Sequence, residues 1–205
     1  MKPAASPKRA PARKRAGALA LLPATPERWG DLERLFGPRG ACAGCWCMWW
    51  RLPAAEFRRG KGAGNRRALK RLVDSGDPPG LIAYAGDEPV GWIALAPRET
   101  YPRLQKARSL KPLDNTPVWS VTCFFVTKEW RRSGVSSRLL RGAIEHARRR
   151  GARMLEGYPV VSQTGAMPDA FAWTGFPAAY ERAGFREVAR PSASRRIMRK
   201  AIRAR

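Results

Sequence analysis

A chain of 205 residues, of which 44% are hydrophobic, is long enough for one domain with a buried core and too apolar for wholesale disorder. The formal net charge of +24 is unusually high and indicates attraction to polyanions. No stretch approaches the roughly 20 apolar residues that a membrane-spanning helix needs, which argues against an integral membrane protein.

The positive charge is concentrated at the two ends of the chain. Residues 1–16 contain six basic residues, residues 190–205 contain seven, and neither stretch contains an acidic one. Basic arms of this kind neutralise phosphates without reading a sequence. We therefore expect either solubilising, disordered ends or weak nucleic-acid contact through the termini.

The first third of the chain predicts a strand and two helices around an irregular segment. Residues 19–22 suit a strand, and the sequence TPE at residues 25–27 is a strong helix start, since Thr25 can cap and a proline suits the first turn. This helix should run to about Phe36. Residues 40–51, GACAGCWCMWWR, have no clear period, and residues 65–75 predict a second helix that Gly76 closes.

The middle of the chain predicts a hairpin and then a buried strand. Residues 81–85 and 90–96 are apolar and flank the turn-forming sequence GDE. The polar stretch 97–117 has room for a short helix at residues 101–107. Residues 119–126, WSVTCFFV, are rich in β-branched and aromatic residues and predict a fully buried central strand.

The last third alternates between helices and strands. After a turn at residues 131–137, an amphipathic helix is expected over residues 135–150, with His146 off its apolar stripe and therefore at the surface. A strand at 153–158, a short helix at 177–183 and a closing hairpin of residues 185–189 and 195–199 follow. This order predicts an α/β or α+β fold, with a sheet covered by helices.

The junction between the strand 119–126 and the helix 135–150 has the properties of an anion site. Residues 133, 134, 136 and 137 are small, so that a phosphate can approach the backbone, and Arg131 and Arg132 add positive charge. The unpaired N–H groups and the dipole of the helix start attract anions as well. The same features can also be structural. No GxxxxGK[ST] run is present and no GxGxxG follows the strand, which argues against ATPases, kinases and dinucleotide-binding enzymes.

Two motifs resemble the GNAT superfamily of acetyl-CoA-dependent N-acetyltransferases. Residues 131–136 resemble its Gln/Arg-x-x-Gly-x-Gly/Ala signature, with Ser136 in place of the last small residue, and residues 179–185, AYERAGF, resemble its Tyr-x-x-x-Gly-Phe segment. The resemblance covers about residues 17–200. It implies one acyltransferase domain over residues 17–200, preceded by a basic leader (1–16) and followed by a basic tail (201–205). The expected fold of this domain is a central mixed, mostly antiparallel sheet of six or seven strands, flanked by helices.

The resemblance also implies a reaction and the residues that carry it. Acetyl-CoA is the expected cosubstrate, and a primary amine of a small molecule or peptide is the expected acceptor. Tyr180 would donate a proton to the departing CoA thiolate and Glu156 would act as general base, although both side chains could instead be structural. The coenzyme would bind through the backbone of Phe124, Phe125, Val126, Arg131, Arg132, Ser133, Gly134, Val135, Ser136 and Ser137.

The cysteine- and tryptophan-rich segment could line the acceptor site or simply pack under the helices. Cys42, Cys45 and Cys47 lie close together, but a structural zinc needs four ligands and the other candidates are poorly placed, so no metal is expected. Aromatic rings here could stack on an acceptor, and the loop 160–176, with Asp169 and Phe171, would form a second wall. The substrate-binding candidates are Trp46, Trp49, Arg51 and Trp173.

Three functions therefore stay open: an N-acetyltransferase, a nucleic-acid or ribosome-associated protein on the same scaffold, and a sensor that binds acetyl-CoA without turnover. The four cysteines do not resemble a disulfide framework, and the apolar run at residues 16–23 is short for a signal peptide. We expect a cytoplasmic protein, as a monomer or a homodimer. The strong basicity disfavours cationic acceptors such as polyamines.

Overall fold

The computed structural model describes residues 18–163, 167 and 171–203. Within these residues the chain forms seven strands and six α-helices. The strands are β1 (Ala20–Pro23), β2 (Gly80–Ala85), β3 (Glu88–Pro97), β4 (Trp119–Val126), β5 (Met154–Gly157), β6 (Arg186–Ser192) and β7 (Arg195–Ala201). The helices are α1 (Trp29–Phe36), α2 (Ala54–Arg59), α3 (Ala63–Asp74), α4 (Pro102–Gln105), α5 (Val135–Arg149) and α6 (Pro177–Arg182).

The seven strands form one mixed sheet in the order β1-β2-β3-β4-β5-β7-β6. The pair β4–β5 is parallel and is connected through α5, whereas the other neighbouring pairs are antiparallel. A parallel pair needs a crossover, and the amphipathic helix α5 supplies it while burying its apolar stripe on the sheet. The predicted mixed, mostly antiparallel sheet flanked by helices is confirmed.

Helices cover both faces of the sheet. On one face, α5 and α6 pack over the central strands through a core that includes Leu139, Leu140 and Tyr180. On the other face, α1, α3 and the tryptophan-rich segment form a second core around Trp92. A smaller cluster beside it joins Tyr101 and Leu104 to the far end of the sheet. The buried residues of β3 contribute to both main cores, as expected for a central strand with alternating side chains.

The boundaries of the first two predicted helices shift, and one helix was not predicted. The first helix begins as a 3-10 turn at Pro26–Arg28 and becomes α-helical only at Trp29, while the second starts two residues earlier than expected. The helix α2 lies between Pro53 and Gly60 and buries only Phe57. One buried side chain in six residues gives almost no periodic signal, and this explains why α2 was missed.

The central strand β4 is only partly buried, contrary to the prediction of full burial. Its first half pairs with both neighbours, but its pairing with β5 ends at the pair Val121–Gly157. Beyond this point Cys123, Phe125 and Val126 are half-buried. The two parallel strands therefore separate, and within the described part of the chain no strand pairs with this edge of β4 over residues 122–126.

The placement of His146 at the surface is wrong. Its ring is 6% exposed and lies edge-on to Trp119, with the ring centroids 6.2 Å apart. Its Nε2 is buried and has no hydrogen-bond partner among the residues that the structure describes. Residue 146 lies one turn from Ala143, so a slightly wider apolar face than the sequence suggested is enough to bury it.

None of the described helices is long and apolar enough to span a membrane. The predicted basic leader at residues 1–16 lies outside the described residues, as does the expected loop residue Asp169. The strand β7 runs to Ala201, and Ile202 packs into the core that contains α5.

Candidate active site

The loop between β4 and α5 is shaped by two residues with left-handed backbone conformations. Arg132 has φ 60° and Gly134, the residue that caps α5, has φ 93°. No side chain of the described residues forms a capping hydrogen bond at this helix end. The N–H groups of the first turn of α5 therefore remain available to an external anion, next to the two loop arginines.

The anion loop is fixed to the strand that precedes it. Arg131 donates from Nε to the carbonyl of Val126 over 3.0 Å, and the hydroxyl of Ser133 donates to the carbonyl of Trp130 over 2.5 Å. The ring of Trp130 is buried in the core under α5. The loop is thus a rigid extension of β4, which suits a site that must hold a charged ligand in one position.

The opening between β4 and β5 is partly filled by the chain itself. The N–H of Phe124 donates to the carbonyl of Trp173 over 2.6 Å. The segment around Trp173 is held in turn by a hydrogen bond from the N–H of Val160 to the carbonyl of Gly175, over 2.9 Å. The sequence predicts that the main chain of Phe124 pairs with the coenzyme. In this structure its N–H is instead bound by the carbonyl of Trp173, in the loop before α6.

Tyr180 lies at the point where β4 and β5 separate. Its ring meets Phe124 edge-to-face, with the centroids 5.9 Å apart, and meets Phe185 in the same way at 5.1 Å. A Cβ at Gly157 would clash with the Tyr180 ring, so glycine is required at this position of β5. The hydroxyl of Tyr180 donates to the carbonyl of Thr174 over 3.1 Å. The whole residue is buried.

The helix that carries Tyr180 is tied to the start of α5. Arg182 donates from Nε to the hydroxyl oxygen of Ser137 over 3.2 Å, and Arg141 donates to the carbonyl of Arg182 over the same distance. These two contacts join α6 to the first two turns of α5. The phenol and the anion loop therefore keep a fixed relation to each other.

Burial raises the pKa of Tyr180 well above its usual value, and the nearby cation of Arg195 opposes that shift. Arg195 is itself held by hydrogen bonds to the carbonyl of Tyr158, over 2.7 Å, and to the hydroxyl of Thr174, over 2.8 Å. The phenol is consequently protonated at neutral pH. A positive charge is in place to stabilise the phenolate that proton donation would leave.

Glu156, the predicted base, lies inside a buried network of ion pairs. Its two carboxylate oxygens accept hydrogen bonds from Arg98 (3.0 Å), Arg199 (2.7 Å) and the hydroxyl of Tyr158 (2.7 Å). Arg98 also donates to Tyr158, and Arg199 also pairs with Asp114 at 2.5 Å. The carboxylate thus links β5 to β7 and to the segment that precedes α4.

The predicted acceptor residues fall into two groups. Trp49 and Trp173 come together, with ring centroids 6.3 Å apart, and Trp50 lies 5.8 Å from Trp173. Trp49 is 36% exposed, and the guanidinium of Arg103 lies 3.6 Å above its ring. These side chains form an aromatic wall next to the opening between β4 and β5.

Trp46 and Arg51 lie apart from the exposed part of this wall. Trp46 stacks on Trp29 in the core under α1, with the ring centroids 6.0 Å apart, which is the packing role that the sequence left open. Arg51 donates to the hydroxyl of Tyr101 over 3.1 Å and to the carbonyl of Pro79. Arg103 was not singled out from the sequence, because only the folded chain brings its guanidinium over the ring of Trp49.

The cysteines do not gather into a metal site. Among the described residues, no group of three or more Cys, His, Asp or Glu side chains is arranged to hold an ion. All four cysteines are free, and the sulfurs of Cys47 and Cys123 lie 2.9 Å apart beside the indole N–H of Trp92. Burial, with the neighbouring Cys47 adding to it, raises the pKa of Cys45 to about 12, so its thiol is protonated at neutral pH.

The chain is similar to known acetyltransferases. The sequence model described as "Acetyltransferase (GNAT) family" matches residues 46–168, which include the anion loop but end before Tyr180. A comparison with curated protein sequences gives no significant match.

Several solved structures share the fold. A GNAT-family acetyltransferase from Streptococcus agalactiae matches with a TM-score of 0.55 and 13% identity, over 89% of this chain and 95% of its own. A putative GNAT acetyltransferase from Desulfovibrio desulfuricans matches with a TM-score of 0.50 and 17% identity, over 91% of this chain and 100% of its own. A chain of the NatC complex bound to Gag peptide and CoA has a TM-score of 0.50 and 12% identity, over 90% of this chain and 99% of its own.

Proposed function

The chain belongs to the GNAT family of acetyltransferases and is an acetyl-CoA-dependent acyltransferase, and from that premise we propose that it acetylates the primary amine of a small molecule or peptide by direct attack. The main support is the position of Tyr180, buried where β4 and β5 separate, on a helix tied to the start of α5. The ring of Tyr180 contacts Phe124, whose N–H binds the carbonyl of Trp173 from the aromatic wall.

The coenzyme is proposed to bind in two parts. The N–H groups of residues 132–137 and the positive end of α5 would hold its pyrophosphate, since these groups and the loop arginines all favour negative charge. The pantetheine arm would lie along residues 124–126 of β4 as an added strand, because among the described residues no strand pairs with this edge. It would take over the N–H of Phe124 from the carbonyl of Trp173. The NatC complex, one chain of which shares this fold, is bound to CoA, and this supports the proposal of a coenzyme site here.

Tyr180 is proposed to act as the general acid. When the amine attacks the thioester carbonyl, the carbon–sulfur bond breaks and the sulfur leaves as a thiolate, which needs a proton. The phenol can supply one after it exchanges its hydrogen bond to Thr174 for one to the sulfur. Arg195 would stabilise the resulting phenolate until a proton from solvent restores the phenol.

Glu156 is proposed to stabilise the fold rather than to act as the base. Its carboxylate already accepts three hydrogen bonds, two of them from arginines, and protonating it would weaken both ion pairs. The proton of the attacking amine would then leave through a chain of water molecules, or the amine would arrive neutral. Either route requires no dedicated carboxylate at the reacting atoms.

The acceptor is proposed to bind against the aromatic wall of Trp49, Trp50 and Trp173. These rings offer a flat apolar surface beside the opening between β4 and β5, and Arg103 adds positive charge at its rim. Arg51 lies behind the wall and holds Tyr101, so its proposed role is to support the site. This surface favours an acceptor with a planar or apolar body over a polycation.

The experiment that tests the function is a panel of amines assayed for release of free CoA from acetyl-CoA. The proposal expects turnover with at least one amine, and titration calorimetry should show acetyl-CoA binding. Binding without turnover on any amine or peptide would favour the sensor. If acetyl-CoA failed to bind at millimolar concentration, the proposal would be wrong.

A further inference from the structure

The end of the molecule opposite the anion loop carries a concentrated positive surface. Two grooves of about 440 and 640 Å³ meet there at Arg203, which lines both. The first groove runs along the last turn of α5 and the start of β5. The second runs between the start of β6 and the end of β7. Together they form one basic surface that spans three strands and a helix end.

Most of the cations on this surface form no ion pair with any residue in the described part of the chain. Of the seven basic residues that line the two grooves, Arg148 pairs with Glu145, and Arg199 pairs with Glu156 and Asp114. The other five have no acidic partner among the described residues. We call them the distal basic surface: Arg149, Arg153, Arg186, Lys200 and Arg203. Glu181 is the one further acidic residue that lines either groove.

The backbone beneath the distal basic surface is firmly held. The N–H of Ile202 donates to the carbonyl of Arg153 over 2.8 Å, which fixes Arg203 next to the start of β5. Lys200 lies opposite Leu155 in the pairing of β5 with β7. These main-chain hydrogen bonds fix the backbone positions from which the basic side chains extend, so the positive charges stay spaced along one surface.

This surface is separate from the coenzyme site. The helix α5 has 15 residues, and its rise of roughly 1.5 Å per residue puts about 20 Å between the anion loop and Arg149. That distance exceeds the Debye length of about 8 Å at physiological ionic strength. The charges of the distal basic surface therefore have no part in holding the pyrophosphate.

We propose that the distal basic surface binds the phosphodiester backbone of nucleic acid without reading its sequence. Five cations spread over two connected grooves fit a row of phosphates better than a single small anion. The aromatic ring that lines these grooves, Phe185, is 3% exposed and offers no face for stacking on bases. The other apolar side chains that line the grooves are those of Ala152, which is buried, and Ala201, which is a single methyl group, so among the lining residues no large apolar side chain is exposed to insert into a lipid layer.

The test measures the salt dependence of RNA binding by the full chain. Fluorescence anisotropy with a labelled, mixed-sequence single-stranded RNA would be compared for the wild type and the variant Arg149→Gln/Arg153→Gln/Arg203→Gln. Each lost phosphate contact lowers the slope of log K against log salt by about 0.7, so the triple variant should lose about 2 from the slope. Residues 1–16 and every basic residue of the C-terminal end except Arg203 are the same in both proteins, so their contribution cancels in the comparison.

A matched control removes three exposed cations elsewhere. The variant Arg59→Gln/Lys61→Gln/Arg67→Gln changes the net charge equally, at residues of and around α2 and α3, and it should keep the wild-type slope. The single variant Arg186→Gln, which alters only one exposed side chain, should lower the slope by about 0.7. Acetyl-CoA affinity, measured by calorimetry, should be unchanged in all three variants whether or not RNA binds.

Three results would overturn the proposal. One is an equal loss of RNA affinity in the triple variant and in the control, which would assign the binding to net charge alone. Another is an absence of RNA binding by the wild type at low salt. A third result concerns vesicles that contain phosphatidylserine. If the wild type bound these vesicles more tightly than RNA, and the triple variant lost this binding, the surface would be assigned to a membrane.

Discussion

At the residue scale, the hydroxyl of Tyr180 is the group on which the proposed chemistry depends. The variant Tyr180→Phe keeps the ring that packs between Phe124 and Phe185 and removes only the proton donor. We expect kcat to fall on the order of 10²-fold with little change in KM, because general acid catalysis acts in the transition state. Steady-state assays of CoA release with an accepted amine measure both constants.

The control for this change is Tyr84→Phe, which removes a hydroxyl far from the opening in the sheet. Tyr84 donates to Asp31 over 2.7 Å, so the control also loses one hydrogen bond. Both variants should lose roughly 1 kcal/mol of unfolding free energy. If both lowered kcat equally, the effect of Tyr180→Phe would be structural.

His146 gives the fold a sensitivity to mild acid. Burial, with help from the charges of Arg150 and Arg149, lowers its pKa from 6.5 to about 4. The imidazole is therefore neutral in the folded protein, while the unfolded chain takes up a proton below about pH 6.5. Folding should lose stability as the pH falls from 6.5 towards 4, because only the unfolded state gains that proton in this range.

The measurement is urea unfolding at several pH values for the wild type and for His146→Leu. The variant cannot bind the proton, so its stability should fall less steeply between pH 6.5 and pH 4. Carboxylates titrate in both proteins and cancel in the difference. Parallel pH profiles would contradict the assignment of a buried neutral imidazole.

At the scale of elements, the sequence predicts regular structure well and irregular structure poorly. The strand β4 agrees residue for residue with its apolar run, and α5 differs from its prediction by one residue, because burial on the sheet imposes a period on both. Residues 40–51 carry no such period. Four non-glycine residues there, among them Trp46 and Cys47, have positive φ angles.

Distant contacts hold that irregular segment in place. The carbonyl of Gly44 accepts a hydrogen bond from the N–H of Gly62 (3.0 Å) and another from the side chain of Asn65 (3.1 Å). These partners lie beyond the next helix in the chain, α2, so the contacts cannot be predicted from the sequence of residues 40–51 alone. The aromatic wall has the same origin, because Trp49 and Trp173 meet only in the folded chain.

The start of α5 gives a prediction with a matched control on the same helix. Gly134 and Gly151 flank α5, both have positive φ angles (93° and 81°), and a Cβ at either would meet nothing within 4 Å. Alanine at either position should cost about 1–2 kcal/mol of stability through backbone strain. Only Gly134→Ala puts a methyl group where the pyrophosphate is proposed to lie.

Calorimetry with acetyl-CoA should therefore separate the two variants. We expect Gly134→Ala to weaken binding at least about 10-fold, which corresponds to about 1.4 kcal/mol. Gly151→Ala should bind as the wild type does. An equal loss in both would mean that helix stability, rather than access to the loop, sets the affinity.

At the scale of the whole molecule, the net charge of +24 sets how stability responds to salt. Like charges repel more in the compact state than in the expanded one, so this repulsion destabilises the fold. We expect Tm to rise as sodium chloride increases towards physiological strength, and to rise more with sulfate at equal ionic strength. Thermal unfolding followed by circular dichroism measures this, and a Tm that fell with salt would show that ion pairs dominate.

The hydrogen bond between Phe124 and Trp173 has a consequence for how fast the coenzyme binds. An arm that pairs with this edge of β4 must first take over an N–H that the chain already uses. If the loop is released before the coenzyme collides with this edge, association contains a first-order step. The observed rate of binding would level off at high acetyl-CoA concentration instead of rising in proportion to it, and the plateau would report how often the protein opens by itself.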